Sequence, residues 1–343
     1  MALSKIPSAG FQDNVKFRNI IINGDMSVAQ RGTSASNVST GYHTCDRWRI
    51  FRGAGTITMS QETDAPTGSG FVKSVKFLEA GSGSSPSAGD RNFLQHRIEG
   101  QNLQYIKKGT SSAEKLTLSF HVKSTVTGTY IAELYDADNT RQVSKAYTIS
   151  SANTWEYKTI TFPADTSGTL DNDNANSMNL NLYFTAGSNF TSGTLNTTWN
   201  SVTDANRAAG QVNVVASASG SIQWTGIQLE AGTTASDFEF LPVDVNLERC
   251  QRYFFNASPT YFVVGRWDAG SGNPLGNYEF LKEMRAAPTF STSGTFSSGS
   301  GYGGTPSAGN IKTKNCYLEG ADSISANAIR YIHNGTIELD AEL

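Results

Sequence analysis

Charge is in short supply in this chain. Asp, Glu, Lys and Arg make up 17% of its 343 residues, against about a quarter in an ordinary soluble domain. The 27 Lys and Arg against 30 Asp and Glu leave a formal net charge of -3. Lys107-Lys108 is the one paired basic step and no run extends it, which argues against a nucleic-acid groove, since such a groove shows as a basic stripe. Cysteine is scarce too. Cys45, Cys250 and Cys316 include no Cys-x-x-Cys pair, so neither a zinc site nor a disulfide scaffold is indicated, and all three read as small buried hydrophobes. The four histidines, His43, His96, His121 and His333, are scattered and form no His-x-x-x-His or His-Glu-x-x-His pair. No nucleophile elbow, phosphate loop or dinucleotide fingerprint lies between a strand and a helix, so catalysis has no positive signal. Long apolar runs are absent as well. Nowhere do eighteen apolar residues follow one another, and residues 1–17 hold no apolar stretch of signal-peptide length, so the expectation is a chain made in a cytoplasm that does not cross a membrane by itself.

What is present is turn chemistry. Gly occurs 33 times, and with abundant Ser, Thr and Asn this favours short strands joined by polar turns, an all-β fold. The length suits about two domains. Ile20, Ile21 and Ile22 form a β-branched run that reads as a first buried strand, halted by Asn23-Gly24-Asp25. Residues 221–230 read as the strand that closes the same domain. There Ile222 and Trp224 share one parity and Ile227 and Leu229 the other, which predicts a bulge at Gly226. The clearest alternation points Leu116, Leu118, Phe120 and Val122 inward and Thr117, Ser119, His121 and Lys123 toward water. Further strands are expected at 56–61, 70–78, 91–98, 130–135, 143–149, around Ile160 and Phe162, and around Leu180 to Phe184, with one or two helical turns at 101–107. Strands at this spacing favour a sandwich over a βαβ fold. Trp48, alternating with Arg47 and Arg49, reads as core. Asp244 is expected to cap a short helix over 245–253, with Leu247, Cys250 and Phe254 on its packing side. Beyond it, strands at 261–267, 277–284, 288–296, 311–318, 326–332 and 336–343 predict a smaller β domain, with a Gly/Ser-rich loop at 297–309.

Several motifs carry a resemblance: Asn19-Ile20-Ile21-Ile22-Asn23-Gly24-Asp25-Met26, Gln30-Arg31-Gly32-Thr33, Cys45-Asp46-Arg47-Trp48 and residues 225–232, followed by Glu248-Arg249-Cys250-Gln251-Arg252-Tyr253. Together they resemble a family of bacteriophage virion proteins whose jelly-roll sandwich is similar to carbohydrate-binding modules, often found in tail fibres and other receptor-facing parts. The resemblance covers about residues 17–253. It implies a virion-attachment segment at 1–16, a jelly roll at 17–243, a connecting helix at 244–253 and a carboxy-terminal β domain at 254–343.

Pro7, Gly10 and Asp13 break any period in residues 1–16, which therefore read either as a frayed terminus or as a peptide docking on a neighbouring virion protein through Leu3, Ile6 and Phe11. The resemblance also implies a homotrimer located in the virion, with the last strand, 337–343, available to pair across subunits. A structural calcium is often found near the first and last strands of such modules; Asp25 and Glu230 fall in those regions, but Ser27 stands where a second acid often would. A sugar site needs an aromatic face for the ring and fixed polar groups for the hydroxyls. Trp155, Trp199, Trp267 and Tyr302 are the candidate platforms, though Trp199 and Phe190, in the polar loop 187–210, could equally plug the sandwich end. The expected function is a non-enzymatic tail-fibre or receptor-binding protein contacting host-surface glycan. The alternatives are a capsid decoration or head-fibre protein, and a glycan depolymerase, which commonly resembles a repeat-built β-helix; no repeat is present here. No cofactor is expected beyond that calcium.

Overall fold

The computed structural model describes residues 17–258, 260–266, 275–298, 305–320 and 328–343. In chain order the first strands are β1 (Ser34–Ala35), β2 (Gly41–Tyr42), β3 (Arg49–Arg52), β4 (Ile57–Glu62), β5 (Ser74–Glu79), β6 (Arg91–Glu99) and β7 (Leu116–Ser124). There follow β8 (Gly128–Asp136), β9 (Arg141–Ile149), β10 (Glu156–Phe162), β11 (Asn176–Ala186), helix α1 (Ser188–Thr191), β12 (Asn200–Ser201) and β13 (Ser221–Ala231). They form two antiparallel sheets, a six-stranded one ordered β1-β4-β5-β13-β7-β10 and a seven-stranded one ordered β12-β9-β8-β11-β6-β3-β2. The fold is all-β, a jelly-roll sandwich.

Alternation builds the core. Leu118, Phe120 and Val122 of β7 are fully buried between the sheets with Trp224, Phe77, Phe184, Leu182 and Trp48. The face of β7 expected to be wet is partly covered, because Thr117 and Ser119 are nearly buried as well. Thr117 Oγ1 donates to the carbonyl of Gly232 at 2.9 Å, and the segment after β13 folds back over this end of the sheet. The bulge is where the parity change puts it: the β13–β7 register slips between Thr225 and Gln228. Gly226 has φ +63°, and a Cβ there would meet the Phe71 ring at 2.5 Å, so both the backbone conformation and the contact require glycine.

The first strand is a correction. Ile20, Ile21 and Ile22 are buried beside β13, with Ile20 N–H bonded to Leu229 O and Ile227 N–H to Gly24 O, each at 2.9 Å, yet they form no strand. The amides of Ile21 and Ile22 donate to side chains instead, Asn19 Oδ1 at 3.0 Å and His96 Nε2 at 3.2 Å. A residue whose amide is taken by a side chain drops out of the ladder. The turn that follows is real: Met26 N–H reaches Asn23 O at 3.1 Å, and a Cβ on Gly24 would lie 2.1 Å from Ile227 O.

Helix α2 (Val243–Gln251) starts after Pro242, and Asp244 makes no capping bond, so the expected cap is also corrected. Pro242 holds the N-cap position, and its carbonyl accepts the Asn246 amide at 3.0 Å. Cys250 packs with Ile22, Val28 and Tyr253, with Leu247 and Leu343 against them, so the helix packs on the sandwich beside the last residue. Cys45, Cys250 and Cys316 are all buried thiols.

The remaining strands are β14 (Phe254–Ala257), β15 (Thr260–Arg266), β16 (Leu275–Glu279), β17 (Thr289–Ser298), β18 (Ser307–Gly309), β19 (Asn315–Glu319) and β20 (Ala328–Asp340). They make one sheet with a core of its own around Phe255, Met284, Phe296, Leu318, Ile332, Ile337 and Leu339. The two strands expected at 326–332 and 336–343 are one continuous strand, β20. The Asn334-Gly335 turn signal is absorbed by a register shift in β17 between Ser293 and Phe296, where the Phe296 ring occupies the space a side chain at 335 would need. β20 pairs with β14 and β15 on one side and β17 on the other, so residues 337–340 have no free edge for pairing across subunits.

Candidate functional site

The outward face of the six-stranded sheet carries a groove of about 610 Å³. Register puts Tyr157 of β10 opposite His121 of β7, and His121 opposite Thr225 of β13, so these three side chains cross the sheet in one row. Phe71 lies over Thr225 and the glycine bulge. Its ring meets His121 edge-on at 5.4 Å, Phe238 at 4.9 Å and Phe240 at 5.0 Å. Phe238 and Phe240, two residues apart in the returning segment, pack at 4.8 Å and wall the groove. Tyr157 and Phe240 are half exposed, at 51% and 50%. Ser69, Ser119, Ser236 and Asp237 add polar atoms to the lining. Burial holds the His121 imidazole below its ordinary value, so it is neutral at pH 7 and presents one donor and one acceptor nitrogen.

Trp155 stands beside the row. It lies just before β10 and packs beside Lys123 of β7. Its Nε1 donates to Asp64 Oδ1 at 3.1 Å, and the Lys123 ammonium lies 5.4 Å above the ring. Lys123 also pairs with Asp64. Burial works to raise the Asp64 carboxyl, but its bonds to Lys123 and Trp155 prevail and hold it below its ordinary value. The arrangement is a line of aromatic faces with a fixed cation and anion at one end, suited to stacking apolar ring faces and hydrogen-bonding hydroxyls.

Trp199 is elsewhere. Its Nε1 donates to Pro163 O at 2.9 Å, Lys108 lies 4.9 Å over its ring, and it packs on the sandwich core, the plugging alternative. Phe190 of α1 is buried beside Phe93 and Tyr183. Trp267 and Tyr302, and the attachment candidates Leu3, Ile6 and Phe11, lie outside the described residues. Both members of the expected calcium pair have protein partners. Glu230 is taken up by Ser236, Gln228 and Arg18, and Asp25 accepts from Ser27 and Asn246. No group of three or more His, Cys, Asp or Glu able to hold a metal occurs among the described residues.

Tyr157, Phe71, Phe238 and Phe240 were missed by sequence reasoning. The signal was the period-two pairing of Trp155 with Tyr157 and of Phe238 with Phe240; that the two pairs meet depends on the returning segment.

No protein-family model matches the chain, and no curated protein does. Among solved structures it is similar to the bacteriophage CBA120 tailspike protein 4 enzymatically active domain, at 16% identity and TM-score 0.34, over 63% of this chain and 22% of that one. It is also similar to TmCBM61 in complex with beta-1,4-galactotriose, at 10% identity and TM-score 0.33 over 63% and 99%. A third is the family 11 carbohydrate-binding module of a Clostridium thermocellum cellulase, at 13% identity and TM-score 0.30 over 59% and 97%. The likeness covers little more than a fifth of the tailspike chain. The sandwich itself is read from the strand pairing above, to which these scores add no argument.

Proposed function

We propose that this chain is a bacteriophage virion protein of the tail-fibre or receptor-binding kind, whose sandwich holds host-surface glycan in the aromatic groove without catalysis. The observation that carries the glycan reading is the groove, with Tyr157 and Phe240 half exposed on its walls. Large aromatic faces left in water beside fixed polar groups are the usual means of gripping a sugar ring. Residues 1–16 join the chain to another virion protein, and the chain assembles as a homotrimer; both parts of the reading follow the sequence resemblance.

Binding of a glycan panel by the purified chain, compared with Tyr157→Ala and Phe240→Ala, tests the site. Each substitution is expected to weaken binding by about 1–2 kcal/mol, roughly 5- to 30-fold in Kd, with a single cooperative melt retained because both rings are half in solvent. Binding that survives both changes overturns the groove assignment. Immunogold labelling of intact phage separates the virion readings: label on the tail supports receptor binding, and label on the head replaces it with the decoration protein.

A further inference from the structure

The outward face of the seven-stranded sheet has no part in that groove, and its chemistry is different. Register aligns Arg49 of β3 with Gln95 of β6, Gln95 with Asn181 of β11, and Asn181 with Glu133 of β8. A neighbouring row sets Arg97 opposite Asn179. Arg49, Gln95, Asn181, Arg97 and Asn179, with Arg91, Arg207 and Phe51, line a cleft of about 180 Å³, enough for a single sugar ring.

The cations outnumber their partners. Arg207 holds Glu133 through two bonds, at 2.8 and 2.9 Å, and Asn181 and Tyr183 also donate to that carboxylate. Glu133 thus neutralises one guanidinium. Among the described residues no carboxylate side chain pairs with Arg49 or Arg91. Arg49 and Arg97 share the single acceptor Gln95 Oε1, at 2.9 and 3.0 Å, and Arg97 also donates to Leu343 O. Burial, with Arg97 close by, pulls Arg49 below its ordinary value, the mark of a cation without a counterion. Two polar atoms are stranded as well. Arg91 Nη1 and Asn179 Oδ1 are buried with no partner, and Asn179 is 6% exposed. A stranded buried polar atom costs about 1–3 kcal/mol, so each is a group a ligand would satisfy. Phe51 stacks on Phe93 at 4.8 Å with Arg91 4.9 Å above it, giving the cleft an aromatic edge.

We propose that this cleft is a second binding site, for one acidic sugar residue of a saccharide. Arg49, Arg91 and Arg97 take its carboxylate or sulfate, for which a guanidinium fork is the matching shape. Gln95 and Asn179 take ring hydroxyls, and Phe51 faces the apolar side of the ring. The site stands on its own observations and does not rest on the aromatic groove.

Calorimetry of the full chain tests it, with trigalacturonate and a heparin hexasaccharide as acidic probes, cellotriose as the neutral one and inorganic sulfate as the bare anion. At least one acidic saccharide is expected to bind, more weakly as salt rises. Arg49→Gln and Arg91→Gln are each expected to lose about tenfold or more in affinity; should Arg91→Gln fold poorly, Arg49→Gln, which gives up one bond to Gln95, decides. The proposal is overturned if neither acidic saccharide binds, if cellotriose binds as well as they do, if binding survives both substitutions, or if sulfate alone binds as tightly. Loss of acidic binding in Tyr157→Ala would move the ligand to the aromatic groove and overturn the second site. A panel bound only through the groove, with the arginine variants silent, leaves the proposed function standing and removes this one.

Discussion

Gly226 and His96 show how much single residues decide here. A methyl at Gly226 would strain a backbone at φ +63° and strike the Phe71 ring. Gly226→Ala is therefore expected to cost about 1–3 kcal/mol, read as a lower urea midpoint, and to weaken glycan binding as well, because Phe71 is a wall of the groove. His96 is fully buried against Trp48 at 5.0 Å and accepts the amide of Ile22 through Nε2. Burial first, then Arg47, holds its imidazole well below the ordinary value. The sign follows. Between that depressed value and about 6.5 the unfolded chain binds a proton that the folded chain refuses. The contribution of His96 is therefore whole above about pH 6.5 and lost as pH falls below it. Asp46 works the other way, since burial pushes its carboxyl up to about 6 and it destabilises the fold as pH rises toward that value. Comparing wild type with His96→Gln isolates the histidine: the variant should lose part of the acid slope of melting temperature below pH 6.5, and an identical slope would refute the assignment.

At the scale of elements, the question is what each segment does with its backbone amides. The Ile20 to Ile22 run has the composition of a strand but spends two amides on Asn19 and His96, which pins it across the sandwich bottom. Asn19 Oδ1 also accepts from Leu229 N–H, at 3.1 Å. Asn19→Ala would leave the buried amides of Ile21 and Leu229 without that acceptor, and about 2–4 kcal/mol of stability is expected to go with them; chemical denaturation checks this. The strand content, the bulge and the inward residues of β7 were legible because period two and a parity change are written in the chain itself. The continuous β20 was not, since Asn334-Gly335 reads locally as a turn and only the bulge in β17 lets the strand run through it.

Over the whole molecule, the sandwich and the carboxy-terminal sheet are fastened by charge. Arg47 is fully buried, pairs with Glu342, donates to Arg97 O at 2.6 Å and lies 3.5 Å under the Tyr253 ring. Arg31 reaches Glu342 at 3.3 Å and Asp340 at 3.0 Å. Removing one partner of a buried pair strands the other, so Glu342→Ala is expected to cost about 3–5 kcal/mol and to split one cooperative melt into two, seen by calorimetry. A variant that still melts once at the wild-type temperature would show that the two sheets are joined by something else. The strand edges bear on assembly too: with both sides of β20 occupied, subunits cannot pair through residues 337–340, and sedimentation equilibrium of the full chain reads its mass directly.

Composition and alternation by themselves determined the all-β class, the glycine bulge and the three buried thiols, because each is a local property: scarce charge, period two, one residue that tolerates positive φ. The tertiary structure alone decided where binding chemistry gathers. Phe71, His121, Tyr157, Phe238 and Phe240 meet because the chain after β13 folds back across the sheet, and Arg49, Arg91 and Arg97 meet because β3 and β6 are neighbours. Such sites are joined by strand pairing between distant segments, and spacing along a chain carries no record of which strands will pair.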